Sequence, residues 1–303
     1  MFLSQFFHYA LGVGVLLLLG AQCQLSVPSG APQLPTTVST DSFPYDLTAP
    51  SLHLRLASED LKEISALSPT DDPNIFLAVS DERGEALFVD VQHGGTISKR
   101  VLFLEKGDFE GAEMVGSDLF FLRSDGVLFE LKQWQTGAPQ VSEFTLGNLS
   151  KANDLEGLGY EPNRQALLIA CKENPTSDVV RRIFAFDLRT RQLSAAPVYT
   201  IDPREVNTRL PYDAEDKAEH FFSSSGVAVH PVTHDIYIVS TALKRLVVLD
   251  HTTGKIRYAL RLSKSVLPQP EGICFDAAGT LYISSEGKGG EGIILAYPYH
   301  QAR

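Results

Sequence analysis

Beyond residue 50 the chain alternates between short apolar runs and clusters of Gly, Pro, Asp and Asn, and no run keeps a helical period. Such runs predict strands, four to a group. The first group covers 63–68, 75–79, 86–90 and 97–104, and the second 110–115, 119–122, 127–131 and 141–146. The third covers 156–160, 166–170, 182–188 and 197–201, and the fourth 226–230, 235–240, 245–250 and 256–262. A fifth group has only three runs, at 271–275, 280–284 and 292–297, while the alternating run 51–56 stands ahead of the first group without a partner. Letting one end of the chain complete the last group removes two exposed sheet edges at once. The expectation is therefore an all-β chain, a five-bladed β-propeller of about four antiparallel strands per blade, closed by an N-terminal strand.

The groups share a register mark. An acidic residue, usually followed by Gly, opens the first strand: Glu63-Ile64, Glu110-Gly111, Glu156-Gly157, Ser225-Gly226 and Glu271-Gly272, at steps of 47, 46, 69 and 46 residues. The long step carries an insertion at 202–222, with Pro203, Pro211 and a charged run ending at His220, expected as a surface loop or short helix over one face. In a propeller the first strand of each blade lines the central channel. Glu63, Glu110, Glu156 and Glu271 should then face one another at one mouth, with Ser225 in the fifth place. The second strand runs back to the same mouth, where it would place Asp81-Glu82, Ser124-Asp125, Lys172-Glu173, Ser240-Thr241 and Ser285-Glu286. Asp108 and Asp154, two residues before their glutamates, would orient the mouth by hydrogen bonding.

Carboxylates crowded on an axis raise one another's pKa unless a cation joins them. Oxygen donors without cysteine select Ca²⁺, or less readily Mg²⁺, over zinc or copper. Glu63, Glu110, Glu156 and Glu271 are the candidate metal ligands. Asp81, Asp125, Glu173, Ser225, Glu286 and His220 are the candidates for contacting a bound ligand. The bland alternative is that the repeated Glu-Gly is a mark of the blade, its carboxylate spent on backbone N–H groups. No G-x-S-x-G or H-E-x-x-H motif is present. If the chain is an enzyme, Glu173, Lys172 and His220 are the residues to supply a base and anion contacts.

Composition changes the picture mainly by exclusion. With 303 residues, 44% hydrophobic content and a mean hydropathy of −0.03, the chain can bury a large core. A net charge of −11 and a pI near 5.2 argue against nucleic acid and anionic membrane surfaces as partners. The first 22 residues, with an apolar run from Ala10 to Leu19, have the form of an export signal. Cys23 raises the alternative of a lipoprotein acylated at that residue; cleavage near Ala21 is the other. Residues 23–43, rich in Ser, Thr and Pro, would be a tether to a propeller at 44–303. The product would be an exported monomer in the periplasm, at the outer membrane or on the cell surface. Cys171 and Cys274 sit in apolar runs of different groups and are read as buried small side chains rather than a disulfide.

The sequences Asp108-Phe109-Glu110-Gly111, Asp154-Leu155-Glu156-Gly157-Leu158, Cys171-Lys172-Glu173-Asn174-Pro175, Ser224-Ser225-Gly226-Val227, Pro270-Glu271-Gly272-Ile273 and Leu281-Tyr282-Ile283-Ser284-Ser285-Glu286, in that order, resemble the SdiA-regulated family over about residues 50–298. These are calcium-regulated β-propeller proteins of bacterial envelopes. The resemblance implies a five-bladed propeller with a Ca²⁺ site and a distant kinship to protein-binding NHL-type propellers. In some relatives it implies phytase-like hydrolysis and a part in calcium homeostasis. The chain departs from that pattern at Glu63, which Ile follows, and at Ser225, which replaces an acid. Three functions follow: a Ca²⁺-loaded module binding a ligand or protein at its mouth, a metal-dependent phosphoester or ester hydrolase, or a metal-free scaffold.

Overall fold

The computed structural model describes residues 43–136, 138–175, 178–211 and 222–300. Strand β1 (Leu52–Leu56) precedes blade one, β2–β5 (Ile64–Pro69, Ile75–Ser80, Gly84–Asp90, Thr96–Leu104). Blade two is β6–β9 (Phe109–Val115, Asp118–Arg123, Val127–Lys132, Gln140–Thr145). Blade three is β10–β14 (Leu155–Glu161, Ala166–Cys171, Arg181–Asp187, Gln192–Leu193, Tyr199–Ile201). After helix α1 (Pro203–Arg209) come blade four, β15–β18 (Ser224–Val229, Ile236–Ser240, Arg245–Leu249, Ile256–Arg261), and blade five, β19–β21 (Gln269–Phe275, Leu281–Glu286, Gly292–Tyr297). All pairing is antiparallel, and β1 pairs with β21 from Leu52 opposite Ala296 to Leu56 opposite Gly292. The N-terminal strand therefore closes the ring, as the strand count demands. The outer edge of blade three departs from the expected single strand: β13 and β14 each pair with β12.

The innermost strands β2, β6, β10, β15 and β19 touch in a closed cycle. Five apolar clusters fill the seams between successive blades; Phe109 and Phe121 stand in the first seam, for example, and Ile238 and Val247 in the third. Cys171 and Cys274 are buried and free, as their apolar surroundings imply. Where inner strands crowd the axis, side chains are excluded. A Cβ on Gly226 would lie 2.2 Å from the Glu271 carbonyl oxygen of the next blade. Gly226→Ala should therefore cost about 1–3 kcal/mol in a urea melt, and a wild-type midpoint would refute the close approach.

Three hairpins are set by an aspartate at the end of the third strand. Asp90 Oδ1 accepts from the N–H groups of Gln92 and His93, Asp187 Oδ1 from Arg189 and Thr190, and Asp250 Oδ1 from Thr252 and Thr253. These are Asx turns. They lie on the face opposite the strand ends Ser80, Arg123, Cys171, Ser240 and Glu286.

On that same face Phe43 and Tyr45 pack among Tyr237, Tyr258, Phe275 and Tyr299 around the fully buried His230. His230 Nδ1 accepts from Val232 and Thr233 N–H, and burial lowers its pKa to about 4. The His300 N–H donates to the Pro44 carbonyl at 2.9 Å, and Tyr45 Oη to that of Gly279 at 2.7 Å. Of the insertion, α1 is described: Asp202 caps it, and the buried Arg245 holds its Asn207 at 2.5 Å and the Leu210 carbonyl at 3.1 Å. His220 and Cys23 lie outside the described residues. Among the described residues no helix is long and apolar enough to cross a membrane.

Candidate cation-binding mouth

Each inner strand opens with a bulge, and the bulge decides which side chain meets the axis. The paired partners jump from Ile64 to Ala66, from Phe109 to Gly111, from Leu155 to Gly157, from Ser224 to Gly226 and from Pro270 to Ile273. The residues left over are Ser65, Glu110, Glu156, Ser225 and, together with Gly272, Glu271, and these five side chains line one axial void of about 10 Å³. That is room for a single water or a bare ion. Glu110, Glu156, Glu271 and Ser225 thus come together as their repeat suggests. Glu63 does not: it is exposed, two residues ahead of the bulge, and corresponds to Asp108 and Asp154. In blade one Ser65-Ala66 occupies the place of Glu-Gly, so matching by acid rather than by bulge slips the register by two residues.

Around this ring stands a second, formed by residues at or just past the ends of the second strands: Asp81, Ser124, Lys172, Thr241 and Glu286. Backbone bonds stitch it across blades, from Phe109 N–H to the Asp81 carbonyl at 3.0 Å and from Leu155 N–H to that of Ser124 at 3.2 Å. Lys172 Nζ donates to Glu156 Oε1 and lies 3.5 Å from Asp154. Thr241 Oγ1 donates to Glu271 Oε1 at 3.0 Å, and Ser225 Oγ to the Pro270 carbonyl at 2.8 Å. Ser124 Oγ donates to Asp108 at 2.5 Å, which gives Asp108 the orienting contact expected of it. Gln269 Nε2 donates to Glu286 Oε2, while Asp81 Oδ1 is buried with no hydrogen-bond partner.

Two candidates stand apart from both rings. Asp125 is exposed and held by Arg123 at 2.8 Å, because Ser124 takes the ring position. Glu173 is exposed, 3.9 Å from Arg181. Sequence reading missed Glu113, an acid inside an inner strand, which accepts from Ser68 Oγ across the seam at 3.2 Å and is pushed up to about 8 by burial. Its signal was a lone charge in an apolar run three residues past Glu110.

The electrostatics favour protons or a cation. Burial, then the charges of Glu156 and Glu271, push Glu110 up to about 10. Burial, then Glu156 and Glu286, hold Glu271 well above the ordinary carboxylate range. Burial pushes Glu156 up to about 7 against the pull of Lys172. Burial works against the Lys172 ammonium, but Glu156 and Asp154 outweigh it and raise its pKa. On the outer ring, burial with Asp81 and Glu63 brings Glu286 to about 7, and burial with Glu63 brings Asp81 to about 6. In kind, this donor set fits a hard divalent ion. In spacing, no three His, Cys, Asp or Glu among the described residues are gathered as a ready metal centre.

A family model described as SdiA-regulated matches residues 47–288. No curated protein matches the sequence. Among solved structures, the chain is similar to the glutaminyl cyclase of Myxococcus xanthus at 13% identity and a TM-score of 0.58, over 83% of this chain and 96% of that one. It is similar to a chain of the nidogen/laminin complex at 14% and 0.48, over 73% and 72% of the two chains. A chain of the mitotic checkpoint complex follows at 12% and 0.43, over 78% and 62%. At such identities the first of these is a likeness of fold.

Proposed function

The chain belongs to the SdiA-regulated family, and from that premise we propose that it is an exported calcium-binding propeller that takes a ligand or a protein at its acidic mouth. The observation that carries this reading is the axial void, where glutamates of three blades meet and, among the described residues, Lys172 alone is ion-paired to Glu156. Glu110 and Glu271, the two ring acids without that lysine contact, are the residues that would hold the ion, with Glu156 shared between it and Lys172. A bound Ca²⁺ supplies charge neutralisation there and ties blades two, three and five together. Export rests on the leader-like first 22 residues.

Hydrolysis has less behind it. Lys172 is engaged by Glu156 and Asp154, and Glu173 points to Arg181 rather than to the axis. The likeness to glutaminyl cyclase is one of fold and carries no activity over. Thermal melts of the chelator-treated chain test the reading. Millimolar Ca²⁺ should raise the melting temperature more than Mg²⁺ does, by about 2.7 kcal/mol of stability at a hundredfold excess over Kd. Glu110→Gln should remove the shift. A shift that survives this substitution would put the ion elsewhere, and no shift in the parent would leave a metal-free scaffold.

A further inference from the structure

The glutamate ring already has a positive charge beside it, and that charge is covalently attached. Lys172 stands just past the end of β11, its backbone N–H held by the Asp154 carbonyl at 2.8 Å. From the outer ring its side chain turns inward, where Nζ donates to Glu156 Oε1 and lies 3.5 Å from Asp154. Its charge reaches beyond blade three. Glu110 of blade two and Glu271 and Glu286 of blade five all feel it, against the larger upward push of burial. One ammonium thus serves acids of three blades. Other basic side chains near the mouth are engaged elsewhere: Lys244 donates to the Thr241 carbonyl at 2.7 Å, and Arg123 pairs with Asp125 at 2.8 Å.

Two properties of the ring pull in different directions. Its donors are of the kind a hard cation takes, yet among the described residues they are not gathered as a ready centre. A tethered ammonium explains both. It directs three N–H donors at acceptors on its own side, and it needs no shell of six to eight oxygens such as Ca²⁺ draws around itself. The axial void has room for one bare ion, and that ion would stand against a glutamate that already faces Nζ.

We infer that Lys172 is an internal competitor of the mouth's cation, a tethered ammonium that holds Glu156 until a divalent ion displaces it. The inference rests on reading the mouth as a cation site. Two positive charges on one buried carboxylate repel each other, so the ion and the ammonium compete for Glu156. The lysine has room to withdraw: its side chain is 37% exposed, and its four-carbon stem is flexible. A short tether gives a group an effective concentration of about millimolar order. Trace divalent ions therefore lose to Lys172, while abundant ones win and turn it outward. The contact sets a threshold for loading the mouth.

Calcium is the probe, titrated calorimetrically into the chelator-treated full chain. Lys172→Met keeps most of the stem and removes the charge. It should bind Ca²⁺ about tenfold or more tightly than the parent, about 1.4 kcal/mol. Lys172→Arg, which keeps the charge, should show no such gain. Equal or weaker binding by Lys172→Met would overturn the inference, as would an equal gain in Lys172→Arg. Where the parent binds calcium, a second measurement needs no variant to fold. Acetylation of lysines by an amine-reactive ester, read by peptide mass spectrometry, should run severalfold faster at Lys172 with calcium than without, relative to the exposed Lys151. An unchanged or slower rate would overturn the inference. Calcium binding by Lys172→Met but not by the parent would sink the proposed function and uphold the inference, the lysine being then a permanent occupant. Binding by neither would sink both.

Discussion

A chain beginning at residue 58 is expected to lose cooperative unfolding altogether. Strand β1 is the outer strand of blade five, and without it β21 becomes an open edge that other chains can pair with. Leu56 is fully buried in the seam between blades five and one, with Leu52 and Leu54 packed against the same cluster. Each buried leucine is worth about 1.5–3 kcal/mol, and five paired residues are lost besides. Together these approach the 5–15 kcal/mol that roughly bounds a whole domain's stability. Urea titration followed by near-ultraviolet circular dichroism would read the loss, and gel filtration would show aggregates. A synthetic strand covering residues 50–57 should restore part of the signal. A truncated monomer with a sharp transition would show that the ring does not need its closing strand.

The metal-free chain should also lose stability as the solution becomes alkaline, an effect that comes from the mouth. Asp81, Glu286, Glu156 and Glu110 all hold their protons more tightly folded than unfolded, with pKa values of about 6, 7, 7 and 10. Raised pKa values of acids stabilise fully below the unfolded values near 4, and the benefit is lost as pH climbs through the folded ones. A shift as large as that of Glu156 is worth roughly 3 kcal/mol. His230 and Asp250, whose pKa values are lowered, act in the opposite sense on the acid side. The clean measurement is therefore a difference. Glu110→Gln and its parent should melt together near pH 5 and separate as pH rises, the metal-free variant being higher by roughly 5 °C or more at pH 9. Curves that stay parallel would mean that Glu110 does not feel its neighbours. Calcium added at high pH should close the gap by stabilising the parent alone.

The blade count, the closing strand and the mouth at which the acids gather were legible because a period of about 46 residues and two-residue alternation are one-dimensional signals. Ser65 shows where they stop. A bulge shifts a side chain from one face to the other without altering the apolar run, so acid matched acid and Glu63 stood in for Ser65. Asp125 lies in the turn after β7, one residue beyond Ser124, where it pairs with Arg123 instead of joining the ring. The turn-forming aspartates Asp90, Asp187 and Asp250 could have been read, each closing a third apolar run ahead of a polar cluster. His230 could not: its partners Tyr45, Phe275 and Tyr299 have no regular spacing from it.

The described chain starts and finishes beside the same aromatic patch, Pro44 bonded to His300, on the face turned away from the glutamates. Whatever is fused or fastened ahead of Phe43 or after His300 is therefore joined to the blind side of the disc. Held on a surface by either end, the propeller would lie like a dish on its back, opening outward. Capture of the protein on a sensor chip through either end should thus give equal access to the mouth, whereas α1, which follows the outer strand of blade three at the other face, is the wrong place for a handle.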